Sequence, residues 1–97
     1  MKLEFLPEAR AEFGHAADYY EDKERGLGKQ FRAEIWKACT TISTHPHLWR
    51  EREGGFRRVN CPVFPYYVAY FMRGDRIVIA AVAHGSRHPG YWLARLR

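Results

Sequence analysis

Ile77-Val78-Ile79-Ala80-Ala81-Val82-Ala83-His84-Gly85-Ser86-Arg87-His88-Pro89-Gly90-Tyr91-Trp92 is the stretch from which the rest of the chain is read. Its first seven residues are uncharged and β-branched or small, the composition of a buried strand. The run then breaks into His, Arg, Tyr and Trp. A strand that ends this way sets polar and aromatic side chains at a sheet edge, where they meet a partner.

Working upstream, Val63 to Phe71 alternates Phe64, Tyr66, Val68 and Tyr70 against Tyr67, Ala69 and Phe71. Arg73-Gly74-Asp75 supplies a tight turn, and Arg76 to His84 returns, so the two runs form a β-hairpin. Arg73-Gly74-Asp75 also spells an adhesion-like tripeptide, but Gly-Asp is the chemistry the hairpin needs there. Phe56 to Cys61 reads as one more strand, separated from the hairpin by Pro62. His47 to Gly55 is a charged loop.

The first half is helical. Lys2 to Leu6 is a short strand, and Pro7 with Glu8 then opens a helix in which Ala9, Phe13, Ala16 and Tyr20 share one face. Gly14 weakens this helix without ending it, and Arg25-Gly26 stops it. Leu27, Phe31, Ile35, Ala38 and Ile42 mark a second helix, closed by His45-Pro46. The link around Gly26 and Gly28 is so short that the helices form an antiparallel hairpin. The predicted order is therefore β-α-α-β-β-β, an α+β fold. It packs an antiparallel helical hairpin on one face of a small, mostly antiparallel sheet, and Pro89 opens a short C-terminal helix or turn.

A chain of 97 residues is expected to form one domain, spanning 1–97, with a single modest core. No apolar run approaches the ~20 residues that span a bilayer, so no membrane association is expected. The N-terminus shows no apolar signal region. Cys39 and Cys61 stand far apart and read as small buried hydrophobes, not as a disulfide framework. Together these features predict a cytoplasmic protein.

The net charge of +5 is unevenly placed. Residues 1–54 carry nine Lys and Arg against ten Asp and Glu, while residues 55–97 carry seven Arg, no Lys and one acid, Asp75. The second half also holds eight of the fifteen aromatics. Arginine beside aromatic rings binds phosphate, stacks on bases or anchors a protein interface. The plainer reading is a sheet whose solvent face is basic. The acids of the first half read as solvated helix faces, Glu8 with Glu12, and Glu21 beside Lys23 and Arg25.

Several chemistries drop out. The histidine pairs His45/His47 and His84/His88 lack a second pair at zinc-like spacing, so neither metal nor cofactor is expected. No phosphate-binding glycine loop or nucleophile elbow is present. What remains is Arg57, Arg58, Tyr66, Tyr67, His84, Arg87, His88, Tyr91 and Trp92. Such a set either holds a phosphodiester, with His or Tyr moving protons, or grips a protein with Tyr91 and Trp92 as anchors. Arg57 and Arg58 point to opposite faces of a strand, so at most one joins a single site on the sheet. Trp92 either covers the end of the sheet or contacts a partner.

Pro7-Glu8-Ala9, Asp18-Tyr19-Tyr20-Glu21, Gly26-Leu27-Gly28 with Phe31, His45-Pro46, Arg57-Arg58, Phe64-Pro65-Tyr66, Gly74-Asp75-Arg76-Ile77 and His84-Gly85-Ser86-Arg87-His88-Pro89 with Tyr91-Trp92 form an ordered set. In this the chain resembles the RelE/ParE toxin superfamily over nearly its whole length, most closely the ParE branch. The resemblance implies the toxin of a type II toxin–antitoxin pair. Its partner is then a cognate antitoxin with an acidic flexible segment, through which alone the pair meets operator DNA.

ParE-like members inhibit DNA gyrase, and the resemblance then implies target binding by Arg57, Arg58, His84, Arg87, Tyr91 and Trp92, with no catalytic residue. RelE-like members instead cleave mRNA on the ribosome, which would make Arg58, Arg87 and Tyr91 catalytic. Tyr67 stands where RelE-like chains usually carry an Arg. Loss of one cation from such a site weakens transition-state stabilisation by about 2–4 kcal/mol, or ~10²–10³ in rate. The expectation is therefore a gyrase-binding toxin.

Overall fold

Pro7 occupies the first turn of α1 (Pro7–Lys23) in the computed structural model, which describes residues 2–96. Its fixed φ suits that position, and Glu8 beside it meets the positive end of the helix dipole. Before it runs β1 (Lys2–Phe5), and the joint is held by the Leu6 N–H donating to the Ile79 carbonyl at 3.0 Å. After it comes α2 (Leu27–Thr44).

The α1–α2 turn depends on Glu21. Its carboxylate accepts the backbone N–H groups of Gly26 (2.9 Å) and Gly28 (3.0 Å), capping α2 from the preceding helix. The Gly26 N–H, more than any other group, holds the Glu21 carboxyl below its usual range. Glu21 is thus a cap and not the surface partner of Lys23 and Arg25 that its spacing suggests. Gly26 sits at φ +89°, a conformation most side chains avoid. At Gly28 the two helices touch so closely that a Cβ would lie 2.5 Å from the Ala17 carbonyl oxygen.

Three strands follow, β2 (Arg57–Asn60), β3 (Tyr66–Arg73) and β4 (Arg76–His84), then α3 (Gly90–Leu93) and a 3₁₀ turn, Ala94–Leu96. β2 is shorter than the Phe56–Cys61 run, because Phe56 closes a turn onto Arg52 instead. β3 begins at Tyr66 and not at Val63. Pro62 and Pro65 bring no N–H to a ladder, so 62–65 turns the chain. The sheet order is β1-β4-β3-β2, with β1 parallel to β4 and the other pairs antiparallel.

The helices cover one face of the sheet. Phe13, Ala16, Phe31, Ile35, Cys39 and Ile42 pack on Val68, Tyr70, Ile77, Ile79 and Val82. Cys39, not Ala38, takes the fourth buried position of α2. The other face is not a basic solvent surface. Tyr67, Ala69, Ala81 and Ala83 are buried there beneath Phe56 and Trp92. Buried on both sides, Ile77 to Ala83 is 0–1% exposed throughout. A register shift opposite Ala69/Tyr70 lets both Ala80 and Ala81 face the second side, so Ile79 and Val82 both reach the helices.

Candidate functional site

β1 pairs with β4 only as far as Ile79, so the last half of β4 loses its neighbour on that side. Side chains complete the ladder that β1 leaves off. The Val82 N–H donates to Glu12 Oε1 of α1 at 3.1 Å, and Arg95 donates to the Ala80 carbonyl at 3.1 Å. Arg95 then grips both Glu12 oxygens, each at 3.0 Å. Glu12 is accordingly half-buried and engaged, which overturns its reading as a solvated helix acid.

Beside this junction α1 and the end of β4 diverge and leave a cleft of about 300 Å³. α1 contributes Glu12, His15 and Tyr19; β3 contributes Tyr66; and His84, Arg87 and Tyr91 close the other wall. His84 is half-buried, and its Nδ1 accepts the Ser86 N–H at 3.1 Å and lies 2.8 Å from the Ser86 hydroxyl. With Nδ1 accepting, the ring proton of neutral His84 sits on Nε2. Its ring meets Tyr66 edge-on, 5.2 Å between centroids.

The exposed guanidinium of Arg87 lies 3.7 Å from the centre of the Tyr91 ring. Arg95 approaches the same ring at 5.4 Å. Burial, then the charge of Glu12 and a hydrogen bond to it, push the Tyr91 hydroxyl up to about 12. Tyr91 is therefore a neutral donor at physiological pH. With Glu12 bound to Arg95, Val82 and Tyr91, the cleft offers aromatic walls, two imidazoles and, among the described residues, the exposed cation of Arg87.

Of the six residues expected to bind a target, His84, Arg87 and Tyr91 meet in this cleft. Arg57 and Arg58 take opposite faces, as their adjacency in a strand requires. Arg57 Nε donates to the Trp49 carbonyl at 2.8 Å. Arg58 lies 3.8 Å over the Tyr67 ring and donates to Asn60 Oδ1 at 3.0 Å through Nη2. It borders a separate hollow of about 250 Å³ that shares only Tyr66 with the cleft. Trp92 lies outside the cleft. It is 0% exposed and its indole N–H donates to the Tyr67 hydroxyl at 2.9 Å. Covering the sheet is its role, because a ring this large supplies most of the apolar cover that Tyr67 and Ala83 need.

Glu12, His15, Tyr19 and Arg95 were not among the expected site residues. A signal for three of them exists: Glu12, His15, Ala16 and Tyr19 fall at i, i+3, i+4 and i+7, a second stripe on α1 beside the apolar one. Arg95 carries no local signal, since its partner lies 83 residues away. Among the described residues no group of three His, Cys, Asp or Glu side chains is placed to hold a metal ion. Among the described residues, too, no helix is long and apolar enough to cross a membrane.

Comparison with known proteins adds two findings. A family model, the ParE toxin of the type II toxin–antitoxin system parDE, matches residues 3–89. A chain of the solved chromosomal ParDE TA system from P. aeruginosa superposes with a TM-score of 0.75, covering 87% of this chain and 95% of that one at 18% identity. At that identity the likeness bears on the fold, which it shares. No curated protein sequence matches significantly.

Proposed function

This chain belongs to the ParE toxin family of type II toxin–antitoxin systems, and on that premise we propose that it arrests bacterial growth by binding DNA gyrase, with a cognate antitoxin neutralising it. The observation that carries this reading is the family match, which runs through the cleft residues from Glu12 to Arg87. His84, Arg87 and Tyr91, joined by His15 and Tyr19, are the gripping surface. Arg58, across Tyr66, extends it.

The geometry favours gripping over cutting. A ribonuclease built on Arg58, Arg87 and Tyr91 needs the three groups around one phosphate. Here Arg58 is stacked on Tyr67 and bonded to Asn60 outside the cleft. Tyr91, its hydroxyl pushed up to about 12, is a poor base.

The test is a supercoiling assay with purified gyrase and purified chain, run beside an assay for mRNA cut at the ribosomal A site. Loss of supercoiling with intact mRNA is expected. Cut mRNA with unaffected gyrase overturns the proposal.

A further inference from the structure

Among the described residues Glu12 is the only acid that lines the cleft, and Arg87 is the exposed cation on the facing wall. One ring lies between them. The face of Tyr91 carries the Arg87 guanidinium at 3.7 Å, and its hydroxyl is hydrogen-bonded to Glu12. A carboxylate and a guanidinium that share a neighbour are natural partners, since a charge-assisted pair is stronger than a stack on a ring. Yet Arg87 forms no ion pair among the described residues.

Arg95 is what holds Glu12 away from it. Its Nη1 and Nη2 donate to the two carboxylate oxygens at 3.0 Å each, and Nη1 also donates to the Ala80 carbonyl at 3.1 Å. The Val82 N–H donates to Oε1 at 3.1 Å. A carboxylate offers about four lone-pair positions, and these bonds with that of Tyr91 fill them. A lysine, a point charge on a flexible stem, could not span both oxygens and the strand carbonyl at once. With 16% and 20% of the two side chains exposed, the pair is largely shielded from water and held more firmly than a surface ion pair. Arg95 itself is fully engaged and has no fork left to offer a target.

We propose that Arg95 is a positioning residue of the gripping surface: by sequestering the Glu12 carboxylate it keeps Arg87 unpaired, stacked on Tyr91 and open to the target. The inference rests on the preceding reading, in which Arg87 grips, and deepens it by assigning a role to a residue that touches no target. Removing Arg95 then does more than loosen the fold. It leaves a half-buried carboxylate without its cation, a strongly unfavourable arrangement. Arg87, on the same ring, is the cation left in the cleft lining to answer it. Arg87 turns from the ring to Glu12, and the surface loses its charge although the residue that carries it is still present.

The test compares purified Arg95→Gln, Arg95→Lys and the double variant Glu12→Gln with Arg95→Gln, each assayed below its thermal transition. Arg95→Gln should inhibit gyrase supercoiling about tenfold less well than the parent, the loss of one charged contact. Arg95→Lys keeps a cation on Glu12 and should fall between the two. The double variant should inhibit about threefold better than Arg95→Gln, because a neutral amide does not capture Arg87. A purely structural role predicts the reverse, since a second change in the same junction only weakens it further. The second readout needs no gyrase. The Arg87 Nε–H resonance, moved upfield by the Tyr91 ring, should shift in Arg95→Gln and return in the double variant. An unmoved Arg87 signal in Arg95→Gln overturns the proposal, and so does a double variant weaker than Arg95→Gln. Should Arg95→Gln not fold, Arg95→Lys with and without Glu12→Gln carries the same comparison. If the parent leaves gyrase untouched while the Arg87 signal moves as described, the target reading fails and the guard stands; gyrase inhibition with an unmoved signal is the reverse.

Discussion

Arg95 and Glu12, 83 residues apart, are joined by two parallel hydrogen bonds of 3.0 Å, with 16% and 20% of their side chains exposed. The pair ties the end of the chain to the first helix and completes the hydrogen bonding of β4. Glu12→Ala leaves both the Arg95 guanidinium and the Val82 N–H short of a partner. It is expected to lower stability by about 1–3 kcal/mol in urea unfolding. Arg95→Ala should cost a similar amount, and the double variant less than the sum, with a coupling of about 1–2 kcal/mol. Strict additivity would show that the pair is not formed in solution.

Tyr91 makes stability sensitive to alkali. Its hydroxyl titrates near 10 in an unfolded chain and at about 12 in the fold, so above pH 10 the unfolded state loses a proton that the folded state keeps. Its contribution is therefore complete below pH 10 and disappears as pH rises toward 12. Tyr20, Tyr66 and Tyr70 are also raised, chiefly by burial, and add to the same trend. Tyr91→Phe should flatten the fall in stability between pH 10 and pH 12 relative to the parent. An unchanged slope in unfolding measurements across that range would mean that Tyr91 ionises freely.

Arg87→Ala separates gripping from folding. Arg87 is exposed and its stacking on Tyr91 contributes about 0.5–1 kcal/mol, so the variant should remain folded. Under the proposed function it should lose growth inhibition, and gyrase inhibition should fall about tenfold or more. A folded Arg87→Ala variant that is fully toxic removes Arg87 from the gripping surface.

Two glycines should respond in opposite directions. Gly28→Ala drives a methyl against the Ala17 carbonyl and the Glu21 side chain, at 2.5 and 2.9 Å. The helices must separate, and thermal unfolding should report a loss of about 1–3 kcal/mol. Gly14→Ala meets nothing and should gain about 0.5–1 kcal/mol. Equal effects at the two sites would contradict the packing of the helical hairpin described above.

The architecture was legible because its signals are local. Phe31, Ile35 and Ile42 repeat with helical period, Gly74-Asp75 turns a hairpin, and Ile77 to Ala83 is unmistakably a buried strand. The strand ends were less so, since Pro62 and Pro65 remove ladder donors from a run that otherwise alternates. The site was half legible. His84, Arg87 and Tyr91 follow one another at a strand end, so sequence proximity brings them together. Glu12 and Arg95 meet only through the fold, and nothing in the residues around Glu12 distinguishes it from Glu8. Trp92 was ambiguous because a large aromatic near a chain end suits a core and an interface equally; the burial of the second sheet face decides it.

The parallel pairing of β1 with β4 has a bearing on synthesis. β1 is the first strand to leave the ribosome, and its neighbour in the sheet is a strand made some seventy residues later. Until β4 emerges, Leu3 and Phe5 have no sheet to join, and α1 lacks the central strand it packs against. The cleft needs still later residues, Arg87 and Tyr91. Under the proposed function the gripping surface is therefore incomplete until the last residues are made, which would leave a neutralising partner time to be present before the fold closes.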